Sequence, residues 1–249
     1  EVDGEGNQLP YIDTLQFRAF ADPQIAVMWA ANGEIDEQTR HIGDWTNYTA
    51  FKEAEKIGDY TVQIWERSAC SGAFFNMTCK NERLRKLFQE RDFRLAMSYC
   101  VDRDEMRELL FDGYGTNKQY TPPKSSPLYY EKLANAYLEY DLEKANALID
   151  GLGYTERDGD GYRLWNDGSK ERISWTTIGT TAENSQAGML LIDYYKAVGF
   201  ELIYRGMDRA LSIELHNSNE VECNAPAVMD YNLVPLAEPR MWVRGWTTK

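Results

Sequence analysis

The residues able to do chemistry are few and scattered. There are 2 histidines in 249 residues, His41 and His216. His41 falls in a polar stretch and His216 near a helix end, so both read as surface residues. A nucleophile needs a base beside it, and neither histidine is placed to be one. No G-x-S-x-G elbow, P-loop or strand-borne G-x-G-x-x-G is present. The 4 cysteines, Cys70, Cys79, Cys100 and Cys223, show no C-x-x-C spacing and form no zinc set with histidine. Cys70 and Cys79 are near enough in sequence to pair, and free buried thiols fit equally well. The 40 acidic residues allow a glycosidase-like carboxylate pair, but none stands out.

One acidic stretch imitates a metal site. Glu156, Asp158, Asp160 and Gly161 occupy positions 1, 3, 5 and 6 of a calcium loop, with Asp167 at position 12. Arg157 intrudes, and Asn166-Asp167-Gly168 is a strong turn sequence, so the stretch reads as a β-hairpin. No metal or cofactor is expected, and a reactive constellation is lacking. With 7 Trp and 16 Tyr, the chain has aromatic faces to spare for a ligand. A binding protein is expected rather than an enzyme. A carboxylate-based hydrolase and a sensory binding module are the alternatives.

Charge narrows the partners. The chain carries 27 basic against 40 acidic residues, a net of −13. That opposes binding to phosphate backbones or to anionic membranes. No apolar run is long enough for a membrane span. The opening EVDGEGNQLPY is acidic and polar and lacks a signal peptide's features, which predicts a cytosolic protein, a processed product or a fragment.

The elements that would position these residues alternate between strand and helix. Thr14–Phe20, a short piece from Ile35, and Tyr60–Ile64 read as strands. Asp22-Pro23 starts a helix ending at Gly33, and Phe51, Ala54 and Ile57 mark a second ending at Gly58. Residues 84 to 115 read as two short helices around Asp102-Arg103. Phe93, Ala96, Met97 and Cys100 share a face. Asp92 is expected to cap the first helix; Asp102 and Glu105 form a capping box for the second, which Gly113 stops. Met106, Leu109 and Leu110 extend the apolar face. A proline-rich loop (Pro122, Pro123, Pro127) comes next, and then a helix capped by Asp141 with Leu142, Ala145, Leu148, Ile149 and Leu152 inward. Ile173 and Trp175 lie in a strand ending at Gly179. Ala187, Leu190, Leu191, Tyr194 and Val198 stripe a helix stopped by Gly199, and Phe200–Tyr204 is the next strand. Arg209–His216 reads as helix, Asn217–Asn224 as polar loop, and 225–249 as irregular.

In this order the motifs resemble those of the family 5 extracellular solute-binding proteins of ABC importers, the oligopeptide- and dipeptide-binding type. LPYIDTLQFRAFADPQIAVMWAANGEID is similar to the family's strand–helix–"G-E-I-D" segment. FFNMTCKNERLRKLFQERDFRLAMSYCVDRDEM is similar to its "N-x-T … D-x-R-x-R-x-A-x-x-x-A-x-D-R" region, with Asp92, Arg94, Ala96, Asp102 and Arg103 at matching positions. Gly113-Tyr114-Gly115 with Pro122-Pro123 is similar to the family's glycine and proline loop. YDLEKANALIDGLGY and DGDGYRLW are similar to the helix and hairpin after that loop.

The resemblance implies an α/β, periplasmic-binding-protein-like fold (type II, cluster C type) with two lobes, here incomplete. Residues 1–68 would be part of the first lobe and 69–249 most of the second, without the returning C-terminal segment. It implies an extracytoplasmic, periplasmic or cell-surface component of bacterial type, reaching the membrane only through a lipid anchor absent from this chain. The partners would be an oligopeptide or oligosaccharide and the ABC permease subunits. The expected ligand contacts are Ser71, Gly72, Phe74 and Asn76 in the segment entering the second lobe, and Asp230, Tyr231, Asn232 and Trp242 in a late loop. If the solute is a sugar, Tyr231, Trp242 and Trp175 are the aromatic candidates to stack on it, with a structural role the favoured alternative for each.

Overall fold

The computed structural model describes residues 1–38, 42–64, 70–179 and 182–229. Two compact units emerge, Glu1–Ile64 and Trp65–Lys249.

In the first unit, Asp22 caps α1 (Pro23–Ala31) by accepting from the Gln24 N–H at 2.9 Å, with Pro23 at the first helical position. A 3-10 turn (Trp45–Asn47) leads into α2 (Tyr48–Gly58). The two helices meet closely at their ends. A Cβ on Gly33 would lie 2.3 Å from the Gly58 carbonyl oxygen, and Gly33 has φ +73°. Ala26, Val27, Ile42 and Phe51 form the small core. The three strands expected here are not formed. Thr14–Phe20, the Ile35 region and Tyr60–Ile64 run without a ladder, and Leu15, Phe17 and Ile64 stay exposed. Alternation alone does not make a strand. It needs a neighbour to take its N–H and C=O groups, and no described segment of this unit supplies one.

The second unit is built on a sheet. β1 (Cys70–Phe75) is followed by α3 (Glu82–Gln89), α4 (Arg91–Tyr99), α5 (Arg103–Phe111), the single turn α6 (Glu131–Ala134) and α7 (Leu142–Gly151). Then come β2 (Ser174–Gly179), α8 (Ala182–Ala197), β3 (Glu201–Gly206), α9 (Arg209–Asn217) and β4 (Cys223–Met229). The strand order is β1-β4-β2-β3. β2 runs parallel to β3 and β4, whereas β1 runs antiparallel to β4. The β2–α8–β3 unit has the expected pattern.

β4 departs from the sequence reading, in which residues 225–229 are irregular. Pro226 hides it, because a proline lacks the N–H a ladder uses. The register explains how it fits: from Gly72↔Ala227 to Phe74↔Asn224, β1 advances two residues and β4 three. Pro226 lies in that bulge, where no ladder bond is lost.

The stretch 84–115 also differs from its reading. It belongs to three helices, because the chain turns extended at Glu90 (ψ 124°) between α3 and α4. Asp92 therefore sits in the first turn of α4, too late in the chain to cap it. Asp102 does cap α5, accepting from the N–H groups of Asp104 and Glu105. Glu105 does not complete the box; its carboxylate takes the Tyr194 hydroxyl instead. α5 ends with Asp112 already left-handed at φ 48°, ahead of Gly113. Met106 packs against the same core as α4 and so continues its apolar face, whereas Leu109 is exposed.

The core gathers around Trp175, which is 1% exposed. Its ring lies 5.4–5.8 Å from those of Phe75, Phe88, Phe93, Tyr195 and Phe200. Arg163, also 1% exposed, bolts this core to its surroundings. Its Nε donates to the Val198 carbonyl and its Nη2 to Asn146 Oδ1, while Nη1 pairs with Asp150.

Candidate functional site

Ligands of open parallel sheets bind outside the carboxyl ends of the strands. Here Gly179 pairs with Gly206, so β2 and β3 end level, and parallel β4 ends at Met229 on the same edge. β1, running the other way, begins there. Cys70 opposes Met229, Ser71 opposes Val228 and Gly72 opposes Ala227. β1, the first of the two segments expected to touch ligand, thus lies beside β4, the strand that precedes the residues of the second in sequence.

Alternation divides β1. Phe75 packs into the aromatic core, while Phe74 meets Tyr120 of the proline-rich loop edge to face, at 6.0 Å and 88°. Asn76 has both amide atoms engaged. Its Nδ2 donates to Asn219 Oδ1 (2.8 Å) and the Val221 carbonyl (2.7 Å), and its Oδ1 accepts from the Thr78 N–H and hydroxyl. It pins the exit of β1 to the turn before β4. Asp230, Tyr231, Asn232 and Trp242 lie outside the described residues. Trp175 is wholly buried and offers no face to a sugar; its place at the centre of the aromatic core decides this.

Tyr204, not anticipated from sequence, shapes the end of β2. A Cβ at Gly179 would fall 1.8 Å from its hydroxyl, and one at Gly188 2.5 Å from its ring. Two glycines therefore let this ring lie across α8 and the end of β2. The sign in the sequence is Gly188, a glycine inside a strong helix.

The other chemical groups are engaged structurally. Asp158 and Asp160, the would-be calcium ligands, both pair with Arg172, which also reaches Glu201 at 3.3 Å. Burial pushes the Asp158 carboxyl up, but the guanidinium and the N–H groups of Tyr162 and Asp160 outweigh it and hold it below the usual range. Antiparallel bridges Arg157↔Arg163 and Leu164↔Arg172 make the stretch two small hairpins. Among the described residues no His, Cys, Asp and Glu group is arranged to hold a metal. His216 Nδ1 lies 2.6 Å from the Ser212 carbonyl and must donate, leaving Nε2 to accept from Asn224. His41 lies outside the described residues. Cys79, Cys100 and Cys223 are free and buried. Burial lifts the thiols of Cys100 and Cys223 to about 12. Asp3, Glu55, Glu82, Glu139, Asp158 and Asp167 are all displaced downward, the wrong direction for a proton-donating acid.

Residues 5–248 match the model of the bacterial extracellular solute-binding proteins, family 5 middle. The chain belongs to this family. Its members bind solutes and are not enzymes. The periplasmic alpha-galactoside-binding protein of Rhizobium meliloti is 27% identical over 170 residues, 65% of this chain and 24% of that protein. The oligopeptide-binding protein AppA of Bacillus subtilis is 25% identical over 227 residues, 90% of this chain and 39% of that one. Among solved structures, an oligopeptide-binding protein OppA superposes with a TM-score of 0.71 at 31% identity, covering 96% of this chain and 38% of its own. MelB of Agrobacterium fabrum C58, solved with stachyose, gives 0.70 at 16% identity, covering 93% of this chain and 36% of its own, and so shares the fold. This family 5 chain has the mixed α/β fold of periplasmic binding proteins. It spans about a quarter to two fifths of the length of these relatives.

Proposed function

We propose that this family 5 chain is part of the solute-binding component of an ABC importer. It would work outside the cytoplasm, capture an oligopeptide or oligosaccharide between two lobes and deliver it to a membrane permease. The observation that carries this reading is the pairing of Ser71–Gly72 with Ala227–Val228 at the carboxyl edge of the sheet. In this reading residues 69–249 are most of the second lobe and 1–68 part of the first. Ser71, Gly72, Phe74 and Asn76 form one side of the cleft wall, and Asp230, Tyr231, Asn232 and Trp242 the other.

Contacts to ligand from both lobes would favour the closed arrangement, and the permease would recognise that form. Both solute classes fit such an edge. Backbone groups at strand ends recognise amides and hydroxyls alike, with waters filling the variable spaces.

The test is thermal unfolding of the full-length protein with libraries of peptides and of α-galactosides. A ligand that binds only the native state raises Tm, by about 2.7 kcal/mol of stabilisation at a hundredfold excess over Kd. A shift with one class assigns the solute. No shift with either class rejects the substrate assignment.

A further inference from the structure

We propose a second binding site, on the outer face of α4, for a small carboxylate with an apolar body. α4 carries two stripes. Phe93, Ala96, Met97 and Cys100 enter the core. Arg91, Arg94, Leu95 and Ser98, also spaced i, i+3, i+4 and i+7, line an open pocket of about 190 Å³ with Gln119, Leu133 and Tyr137. None of these residues belongs to β1 or β4, although Gln119 adjoins Tyr120, which meets Phe74 of the proposed solute edge. Its volume lies below the ~300–1,000 Å³ that holds drug-sized ligands, so its occupant is small.

Charge sets the chemistry. In a chain with 40 acidic residues, no carboxylate lines this pocket and two guanidiniums do. Arg94 spends Nη1 on the carbonyls of Phe88 (2.7 Å) and Glu90 (3.1 Å). Its Nε and Nη2 have no acceptor among the described residues. Arg91 is paired only loosely, with Asp92 at 3.8 Å, and its Nη2 donates to the Tyr137 hydroxyl. Guanidiniums grip a carboxylate by two parallel N–H bonds, better than they grip a point charge. Leu95, Leu133 and the Tyr137 ring supply apolar walls for the rest of the ligand.

The base is held rigid. The Ser98 hydroxyl donates to the Tyr137 carbonyl and accepts from Arg103 Nη2 and Gln119 Nε2. These bonds hold Tyr137 in a left-handed conformation, φ +56°, that a tyrosine rarely adopts. Backbone strain of this kind collects at binding sites.

The probe is 4-fluorobenzoate, observed by fluorine NMR with the full-length protein that contains this chain. Saturable broadening, reversed by hexanoate, is expected. The neutral 4-fluorobenzyl alcohol should not bind. The double variant Arg91→Gln, Arg94→Gln should weaken binding by about tenfold or more. Because Arg94 also caps α3, Leu133→Glu provides an independent arm: a carboxylate at the exposed wall should abolish binding with Tm unchanged. Equal binding of the alcohol, displacement by inorganic phosphate as effective as by hexanoate, unchanged affinity in both variants, or no saturable binding would each overturn the proposal.

Discussion

The Tyr194 hydroxyl donates to the Glu105 carboxylate at 2.6 Å, fastening α8 to the first turn of α5. Burial first, and then this bond, raise the Tyr194 hydroxyl well above the ordinary tyrosine range. A folded-state value above the unfolded one means the stabilisation is complete below about pH 10 and is lost as pH rises beyond it. Tyr194→Phe should cost about 1.5 kcal/mol at neutral pH, the lower end for a bond to a charged group because Glu105 reaches solvent. It should also flatten the alkaline fall in stability. Urea unfolding at pH 7 and pH 11 measures both.

Trp175→Ala should destabilise the second unit by about 3–5 kcal/mol, the range for deleting a large buried aromatic. Five rings surround the cavity it would leave, and none is free to move in without breaking its own contacts. Denaturant titration monitored by far-UV circular dichroism gives the value. A loss below about 1 kcal/mol would contradict this packing.

The thiols of Cys100 and Cys223 should not react with iodoacetamide at pH 8 while the chain is folded. Both are buried and held near 12, so the thiolate is scarce. In denaturant both should alkylate within minutes. Peptide mapping after a short pulse distinguishes the two states.

Gly72 and Asn76, both in the proposed cleft wall, differ in what they carry structurally. A Cβ at Gly72 meets only the Phe74 ring, at 3.5 Å, which is ordinary contact. Gly72→Leu should therefore leave Tm within a few degrees and abolish the ligand-induced shift in the full-length protein. Asn76→Ala should lower stability as well as weaken binding, costing about 1–3 kcal/mol by orphaning the Val221 carbonyl and the Thr78 N–H. Thermal unfolding with and without ligand reads both variants.

Sequence periodicity places α7, α8, β2 and β3 well, because each buries residues in the core; α9 is also placed, although Ser212 is its one buried residue. It fails where the deciding partner is remote. Glu90 breaks the α3–α4 run although both sides are helical in pattern. Thr14–Phe20 alternates like a strand and has nothing to pair with among the described residues of its unit. Pro226 disguises β4, since only the bulge opposite β1 makes a proline tolerable there. The edge that joins Ser71 to Val228 is legible only through resemblance, because no local spacing relates residues so far apart. Trp175 passes for a sugar surface because composition cannot tell a core tryptophan from an exposed one.

Among the described residues, β4 comes last of the four strands in the chain and lies between the first and the second of them in the sheet. On the ribosome, β1 must therefore wait for its neighbour while the intervening residues are made, on the order of 10–30 s at about 5–20 residues per second. Until then its edge, with Phe74 and Phe75 exposed in succession, is a pairing template for other chains. Nascent copies of this protein should need a holding chaperone over that interval, and truncations before Cys223 should aggregate rather than accumulate as partly folded monomers.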